Sequence, residues 1–510
     1  MSARVKQSRL PIAFSAALGL LSTSCHGAAP TPPGVLVVAL DSEPQTVDPR
    51  FGLDAGSSRL ADLVHAGLTR ADADARRVPD LARSWEYRDA TTLVFRLRRD
   101  AHFWNGSPVT ARDVQATYEA LADPALASPK QGALAPLAAI EAPAPDVVVM
   151  HLHEPTPAFL DETGLAIHPA AEVHARTPPT GAGPFRLVES RAGDRLVLEP
   201  NPRFHGGAPA IRRLVLRIIP DPVVRVLLLD RGEVHFLQEA LDPELLGWLE
   251  AKPHLTVTRR PGSSVLYLGL NLRSPVMRHR RVREAIALAI DRAALVRSVL
   301  GGFARPATGL LSPEHWAYAA LPARLPDPAR ARRLLDLAGF PDPDGAGPAP
   351  RFRVVYKSSS QPSRRRLAEA IQAQVAAVGI GLDIRSYEWA TLFADVRSGN
   401  FQMVAMAWVG INDPDFYHRA FHSSMRPPVG YNRGDYDDPV IDRLTNLARR
   451  TPDPARRRRL YRRVQRRLAR ELPVVPLWWE DRLVVHSTRL HDFAPMPSGD
   501  LRGLAAARFE

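Results

Sequence analysis

The side chains whose spacing could support chemistry are two histidine pairs. His151 and His153 alternate along an apolar stretch, and His418 and His422 stand four residues apart, which would place both imidazoles on one face of a helix. Imidazoles are common ligands of transition metals, but no third ligand is evident beside either pair. His418 and His422 are therefore only weak candidates for a metal site, and packed or exposed histidines are the favoured interpretation.

Motifs typical of enzymes are absent from the sequence. It contains no GxSxG, Walker A, complete GxGxxG, HExxH or paired CxxC motif, and its single cysteine is Cys25. These absences argue against an enzyme, and we expect no cofactor. An enzyme stays open as an alternative, which a search for turnover of the bound ligand would test.

Composition and charge narrow the class of protein. The chain has 510 residues, of which 45% are hydrophobic and 24% charged, so a disordered or fibrous protein is excluded. The net charge of +13 comes from arginines spread along the chain, and we expect no nucleic-acid partner. The one dense arginine run, 454–472, has apolar residues every four positions, which predicts an amphipathic helix with a solvated arginine face. A phosphate-binding surface is the less favoured alternative.

The amino terminus has the pattern of an export signal. A basic segment precedes an apolar stretch over 10–21, which is too short to span a bilayer but typical of a secretory signal. Three small residues then lead to Cys25, which resembles a bacterial lipoprotein box with the usual leucine one position early. The sequence predicts a signal peptide over 1–24, lipidation of Cys25 and a linker over 25–34. Ordinary cleavage beside a chance cysteine is the alternative.

The body of the chain mixes strand and helix patterns. Apolar or alternating stretches predict strands over 34–40, 93–97 and 147–153. Apolar residues at spacings of three and four predict helices over 283–300, 328–337 and 363–378. Thr110 followed by Asp113 is typical of a helix start and predicts a further helix over 111–121. Together these patterns predict an α/β fold.

Blocks of sequence add a family resemblance. The segment 79–121 reads PDLARSWEYRDATTLVFRLRRDAHFWNGSPVTARDVQATYEAL. It closely resembles the signature block of the family 5 extracytoplasmic solute-binding proteins, the oligopeptide-, dipeptide- and nickel-binding components of ABC importers. Further blocks follow in the family's order at 47–49, 180–187, 270–271, 281–294, 338–340 and 379–389. On these blocks the chain is identified as a member of the family.

The resemblance implies a two-lobed periplasmic-binding-protein fold, the Venus flytrap, with mixed sheets flanked by helices and an extra inserted domain. It implies that lobe I is assembled from three stretches of the chain and that lobe III is one long stretch. The implied division is lobe I over 35–66, 178–260 and 478–510, inserted domain II over 67–177, and lobe III over 261–477.

The resemblance also implies a ligand between lobes I and III, as in other binding proteins that close about a hinge. Relatives hold peptides by strand addition, through main-chain hydrogen bonds. Trp389 and Trp408 match aromatic positions near the family's pocket, with ordinary core packing as the alternative for each. The residues that match the peptide-pairing strands are Leu53, Asp54 and Ala55 in lobe I, and Ala407, Trp408 and Val409 in lobe III.

The charged anchors of the family are missing or displaced. Where peptide-binding relatives have an aspartate for the ligand's amino group, this chain has Ile411, followed by Asn412 and Asp413 in altered spacing. Where dipeptide-binding relatives have an arginine for the ligand's carboxylate, it has Ser358, next to Lys357. A strict dipeptide binder is therefore disfavoured. An oligopeptide, a modified peptide and an uncharged ligand stay open, as does whether Asp413 reaches the ligand.

The sequence thus predicts an exported lipoprotein, anchored at the periplasmic or cell-surface face of a membrane through Cys25. We expect a monomer that captures a peptide-like ligand and delivers it to an ABC permease with its ATPase subunits. A receptor for nickel, a metal chelate or haem on the same fold is the alternative. A transcription regulator of this fold is disfavoured, because a signal peptide occupies the place of its DNA-binding domain.

Overall fold

The computed structural model describes residues 32–238, 241, 243–345, 347–427 and 429–510. The predicted signal peptide, Cys25 and most of the predicted linker lie outside these residues. Among the helices described, none combines the length and the apolar character needed to cross a membrane.

Strands and helices are interspersed along the described chain. The strands are β1 (Val35–Leu40), β2 (Thr69–Ala71), β3 (Arg77–Pro79), β4 (Ala82–Tyr87), β5 (Thr92–Leu97), β6 (Leu137–Ala144), β7 (Val147–Leu152), β8 (Phe185–Arg191), β9 (Arg195–Pro200), β10 (Arg213–Ile218), β11 (Phe236–Gln238), β12 (Leu255–Leu270), β13 (Ala304–Pro306), β14 (Phe352–Ser359), β15 (Ile380–Tyr387), β16 (Met403–Trp408), β17 (Val474–Ser487), β18 (Leu490–His491) and β19 (Arg508–Phe509). The helices are α1 (Ala55–Val64), α2 (Ala111–Ala122), α3 (Pro222–Asp230), α4 (Pro243–Glu250), α5 (Arg280–Ala289), α6 (Arg292–Leu300), α7 (Pro328–Asp336), α8 (Pro362–Ala376), α9 (Trp389–Ser398), α10 (Phe416–Phe421), α11 (Pro439–Arg449) and α12 (Pro454–Glu471). Short 3₁₀ helices occur at Pro124–Leu126, Gln131–Leu134, Pro157–Gly164, Ser423–Met425 and Arg502–Ala505.

One mixed sheet runs through both lobes. Its strand order is β15-β14-β16-β12-β17-β11-β1-β10-β9-β8, and β13 pairs with β17 outside this path. The central strands β12 and β17 are 16 and 14 residues long, and they pair antiparallel with each other. Their register shifts between Pro261 and Val265. Two continuous strands with a local irregularity therefore connect the lobes.

Apolar clusters cover both faces of each half of this sheet. Along β12, Leu266 and Leu268 pack into one cluster and Val265 and Tyr267 into another, because successive side chains of a strand point to opposite faces. In lobe I, alternate residues of β1 likewise divide between two clusters. This is the α/β architecture of mixed sheets flanked by helices that the sequence predicted.

The inserted segment has an apolar core of its own. Its four-stranded sheet has the order β4-β5-β7-β6, and α2 packs against it. The buried residues of this core lie between Ala66 and Ala182. The positions at which one domain gives way to the next stay a prediction.

The structure confirms most predicted elements and corrects one helix. The predicted strands correspond to β1, β5 and β7, and the capping box of Thr110 and Asp113 begins α2. The single helix predicted over 283–300 is wrong, because the chain forms α5 and α6 instead. The carboxylate of Asp291 accepts a hydrogen bond from the amide of Ala294 at 2.9 Å and so begins a new helix.

We expect Gly262→Ala to destabilise the junction of the lobes. A Cβ on Gly262 would lie 2.3 Å from the main-chain oxygen of Glu480, so the paired strand would have to move. The predicted loss is about 1–3 kcal/mol in the free energy of unfolding, measured by urea or thermal unfolding. In Gly247→Ala, a control in α4 with open space around its Cβ, stability should instead rise by about 0.5–1 kcal/mol. Equal stability of Gly262→Ala and the wild type would contradict this account.

Candidate ligand-binding site

The candidate site begins at the carboxyl end of β16, inside the sheet of lobe III. On one edge β16 is paired to its end with β12, in a register that sets Ala407 opposite Leu266. On the other edge its parallel pairing with β14 stops at Val404. Within the described chain, residues 405–408 are therefore left out of the ladder on that edge. An extended ligand chain could pair there.

Where the pairing of β14 with β16 stops, a gap is left between the two strands, and the end of β14 forms its other side. Ser358 and Ser359 are buried, and both pair with β15. The hydroxyl of Ser359 is buried without a hydrogen-bond partner among the described residues. Buried polar groups normally form hydrogen bonds. An unpartnered hydroxyl beside a gap between strands therefore indicates a place where a ligand or water can form a hydrogen bond with it.

Trp408 is the centre of an aromatic cluster beside the free edge. Its ring stacks on Tyr267 at a centroid distance of 6.0 Å and meets Phe416 edge-on at 4.8 Å. Tyr431 lies 5.4 Å away on another side. These contacts hold the indole in one orientation while leaving it partly exposed, as an aromatic wall of a binding site requires.

Arg433 joins this cluster to Trp389 and was missed by the sequence analysis. Its guanidinium carbon lies 5.1 Å from the ring centre of Trp408 and 5.3 Å from that of Phe393. Trp389 in turn stacks on Phe393 at 5.7 Å and is 53% exposed. Arg433 forms no ion pair with a carboxylate in the part of the chain that the structure describes. It lies directly after an Asn in a polar loop, a signal too common to have predicted its role.

The lobe I segment expected to pair with the ligand is a loop and a helix start. Leu53 is 66% exposed, and Ala55 is the first residue of α1. The carboxylate of Asp54 accepts a hydrogen bond from the amide of Ser57 at 2.9 Å and so caps that helix. No strand is assigned to 53–55 in the described chain, although the backbone of Asp54 is extended, with φ −80° and ψ 162°. No hydrogen bond or ion pair of the described residues joins this segment to 407–413, and its contact with a ligand stays a prediction.

Lys357 is paired within lobe III. It is 7% exposed, and its Nζ lies 2.6 Å from Oδ2 of Asp395 and 5.1 Å from the ring centre of Tyr387. Its charge is therefore matched without a ligand. A role as the anchor of a ligand carboxylate stays a prediction, and the ion pair with Asp395 weighs against it.

The residues after β16 alternate between solvent and core. Val409 is 69% exposed, and Gly410 has a φ of +63°, a left-handed conformation that turns the chain. Ile411 is 7% exposed and belongs to the same apolar cluster as Leu311 and Tyr417. An apolar, buried side chain at this position offers no partner to a ligand ammonium.

Asp413 is held by an arginine of α12. Its two carboxylate oxygens lie 2.6 and 2.5 Å from the terminal nitrogens of Arg457, whose side chain is 6% exposed. The preceding carbonyl, that of Asn412, lies 2.9 Å from Nε2 of His315. The sequence predicted a solvated arginine face for α12. The structure corrects this prediction at Arg457, which points inward and neutralises Asp413.

Asn412 and Asp413 also line a cavity of about 260 Å³ between lobe III and the inserted segment. Tyr87 and Asp161 enter from the inserted segment, and the hydroxyl of Tyr87 is buried without a partner in the described chain. Burial, followed by the negative charge of Asp413, raises the pKa of Asp161 to about 7, although Arg77 lies 3.6 Å away. The carboxylates of Asp161 in the inserted segment and Asp413 at the end of the candidate site therefore interact electrostatically.

The two histidines His418 and His422 contact each other, with ring centres 4.4 Å apart. Nε2 of His422 lies 3.0 Å from Nδ2 of Asn446, and Nε2 of His418 lies 3.4 Å from Nη1 of Arg449. Burial, followed by the positive charge of Arg449, lowers the pKa of His418 to about 3. A neighbouring guanidinium also repels a metal ion, and the described residues contain no group of three metal-ligating side chains.

The chain has two lobes joined by paired strands, a free strand edge on β16 and an aromatic wall beside it at Trp408. These are the features of a two-lobed solute-binding protein. The family model of bacterial extracellular solute-binding proteins, family 5 Middle, matches residues 76–426. The chain belongs to this family.

Known proteins resemble the chain over most of its length. A Brucella ovis protein named as an ABC transporter peptide-binding protein is 28% identical over 443 residues, which cover 83% of each chain. The glutathione-binding protein GsiB of Shigella boydii is 28% identical over 508 residues, 94% of this chain and 96% of its own. The structure of NikZ from Campylobacter jejuni with Ni(L-His) has the same fold, with a TM-score of 0.78 at 23% identity, covering 94% of this chain and 100% of NikZ.

We expect Asp161→Asn to change how stability depends on pH. An aspartate in the unfolded chain ionises near pH 4, whereas Asp161 in the folded protein ionises near pH 7. Between these values only the folded state keeps the proton, so stability falls as the pH rises from about 4 to 7. The asparagine variant should lose this decline and melt above the wild type at pH 8. Thermal unfolding of the wild type and the variant at pH 5 and pH 8 measures this change in melting temperature.

Asp74→Asn is the matched control, because Asp74 is an exposed carboxylate of the same inserted segment. It should keep the wild-type decline between pH 5 and pH 8. A decline of the same size in Asp161→Asn would contradict the assignment of this titration to Asp161.

Proposed function

We propose that this protein captures a peptide-like ligand between its lobes and delivers it to an ABC importer. The observation that carries the proposal is the free edge of β16 at residues 405–408, beside the partly exposed ring of Trp408. Main-chain hydrogen bonds to such an edge hold an extended chain whatever its side chains are. The names of the Brucella ovis and Shigella boydii relatives, a peptide-binding and a glutathione-binding protein, support a peptide-like ligand.

The charges around the edge favour a ligand recognised without an ammonium anchor. Ile411 is apolar, while Lys357 and Asp413 are already paired with Asp395 and Arg457. Arg433, whose guanidinium lies over the rings of Phe393 and Trp408, forms no ion pair with a described carboxylate and could meet a carboxylate of the ligand. A peptide with a blocked amino group, or one rich in carboxylates, should therefore bind at least as well as one with a free amino terminus.

A metal-chelate receptor is the second candidate, and the likeness in fold to NikZ with Ni(L-His) favours it. Direct metal ligation by His418 and His422 is disfavoured by Arg449 beside them. Such a receptor would have to hold the organic part of a chelate, through the Trp408 wall and Arg433. Recovery of a nickel or haem complex in place of peptides from the purified protein would favour this candidate.

Export and tethering complete the proposal. The expected signal peptide and Cys25 would place the folded part at the outer face of a membrane, where the ligand is captured and a permease with its ATPase subunits receives it. The division into lobe I, domain II and lobe III along the predicted boundaries, and the monomeric state, belong to the same proposal. Its function is binding, and no turnover of the ligand is expected.

We expect Trp408→Ala to weaken ligand binding at least tenfold, because the indole forms the wall beside the paired edge. The ligands are first identified by mass spectrometry of small molecules that copurify with the wild type, and affinity is then measured by calorimetry. Trp248→Ala, which removes an exposed tryptophan from α4 in lobe I, should bind as the wild type does. Equal losses in both variants, or none in either, would contradict the placement of the ligand at β16.

We expect Cys25→Ala to release the protein from the membrane. If Cys25 carries the lipid, the wild type should fractionate with membranes and incorporate a radioactive fatty acid, and the variant should do neither. Cell fractionation and metabolic labelling measure both outcomes. Retention of label in the alanine variant would contradict lipidation at this residue, without bearing on ligand binding.

A further inference from the structure

Lobe III contains a second cavity at the far end of α12, with a volume of about 310 Å³. Its walls are largely apolar and include Leu310, Leu321 and Leu468. Leu468 stands eleven residues beyond Arg457, which at 1.5 Å per residue is roughly 16 Å along the helix from the pair with Asp413. We call it the arginine cavity, after the four arginines that line it: Arg292, Arg324, Arg466 and Arg470.

Arg292 is the buried cation of the arginine cavity. It is 8% exposed, and its guanidinium donates only to main-chain carbonyls, those of Pro476 at 2.7 Å, Ala287 at 3.3 Å and Arg324 at 3.2 Å. No carboxylate of the described chain forms an ion pair with it, and no described residue accepts a hydrogen bond from its Nη2. Burial, followed by the charge of Arg324, lowers the pKa of Arg292 to about 10. The negative charge of Asp291 acts on Arg292 without an ion pair, so a buried charge whose hydrogen bonds go only to neutral carbonyls is incompletely compensated.

The other arginines add to this imbalance. Arg466 and Arg470 are exposed on α12, and neither forms an ion pair with a described carboxylate. Arg324 donates to the carbonyl of Ala469 at 3.1 Å. Its carboxylate partner is Glu284 at 3.6 Å, which Arg280 and Arg330 also contact. No aspartate or glutamate is among the residues that line the cavity. Positive charge over an apolar hollow is the arrangement that complements an anion with an apolar body.

We propose that the arginine cavity binds a small amphiphilic carboxylate. Its head group would accept hydrogen bonds from Arg292, with Arg466 and Arg470 at the entrance, and its apolar body would lie against the leucines of the wall. The volume is at the lower end of the range usual for small-molecule sites. This site does not depend on the proposed capture of peptides at β16, and it needs no movement of the lobes.

Sodium octanoate is the probe, and binding to the full-length protein is followed by calorimetry. Saturable binding is expected for octanoate, and at least tenfold weaker binding for octanol, which lacks the charge, and for acetate, which lacks the apolar body. Absence of saturable octanoate binding, or equal binding of octanol, would overturn the proposal.

Two variants locate the site. Arg292→Met removes the buried charge at nearly constant length, and Ala469→Trp introduces a large side chain from α12 into the cavity. Each should weaken octanoate binding at least tenfold. Arg297→Met, an exposed arginine on the same helix as Arg292, should bind as the wild type does. Should Arg292→Met fail to fold, Ala469→Trp decides alone, because undiminished binding in that variant contradicts the proposal.

Discussion

The paired strands β12 and β17 are the constraint on which the rest of the structure depends. They pass from lobe III into lobe I as one antiparallel pair, so the sheets of the two lobes are continuous. Relative motion of the lobes must be absorbed by these strands, and their register already shifts between Pro261 and Val265. The strand that carries the candidate site, β16, is the immediate neighbour of β12. A ligand at β16 would therefore lie one strand away from the connection between the lobes.

Lobe III neutralises most of the charges that could otherwise meet a ligand. Lys357 is paired with Asp395, and Asp413 with Arg457. Removing one partner of a buried pair such as Asp413 and Arg457 costs about 3–5 kcal/mol, so a ligand that displaced Arg457 would have to replace that interaction. Among the described residues, those beside the free edge of β16 offer main chain, aromatic surface, the hydroxyl of Ser359 and Arg433. Such a site recognises an extended backbone and tolerates different side chains in the ligand. It differs in this from a site that holds the charged ends of a peptide with ionic anchors.

Local sequence was enough to predict the class of fold and most elements, and the family blocks supplied the order of the lobes. The capping box at Thr110 was read correctly because its partners are three residues apart. The contacts that shape the site are not local. Asp413 and Arg457 are 44 residues apart in the sequence, and the periodicity of apolar residues does not predict such a contact. Around Asp54 the local sequence forms a helix cap, and the pairing of this segment with a ligand, which the resemblance implies, stays a prediction.

The central claim is that an extended ligand pairs with the free edge of β16, and amide hydrogen exchange tests it most directly. The protein is compared with and without a saturating pool of the ligands that copurify with it, with saturation verified by a rise in melting temperature. The account predicts that amides within 405–409 exchange at least tenfold more slowly when ligand is bound. Unchanged exchange of these amides in the saturated protein, with protection confined to other elements, would contradict it.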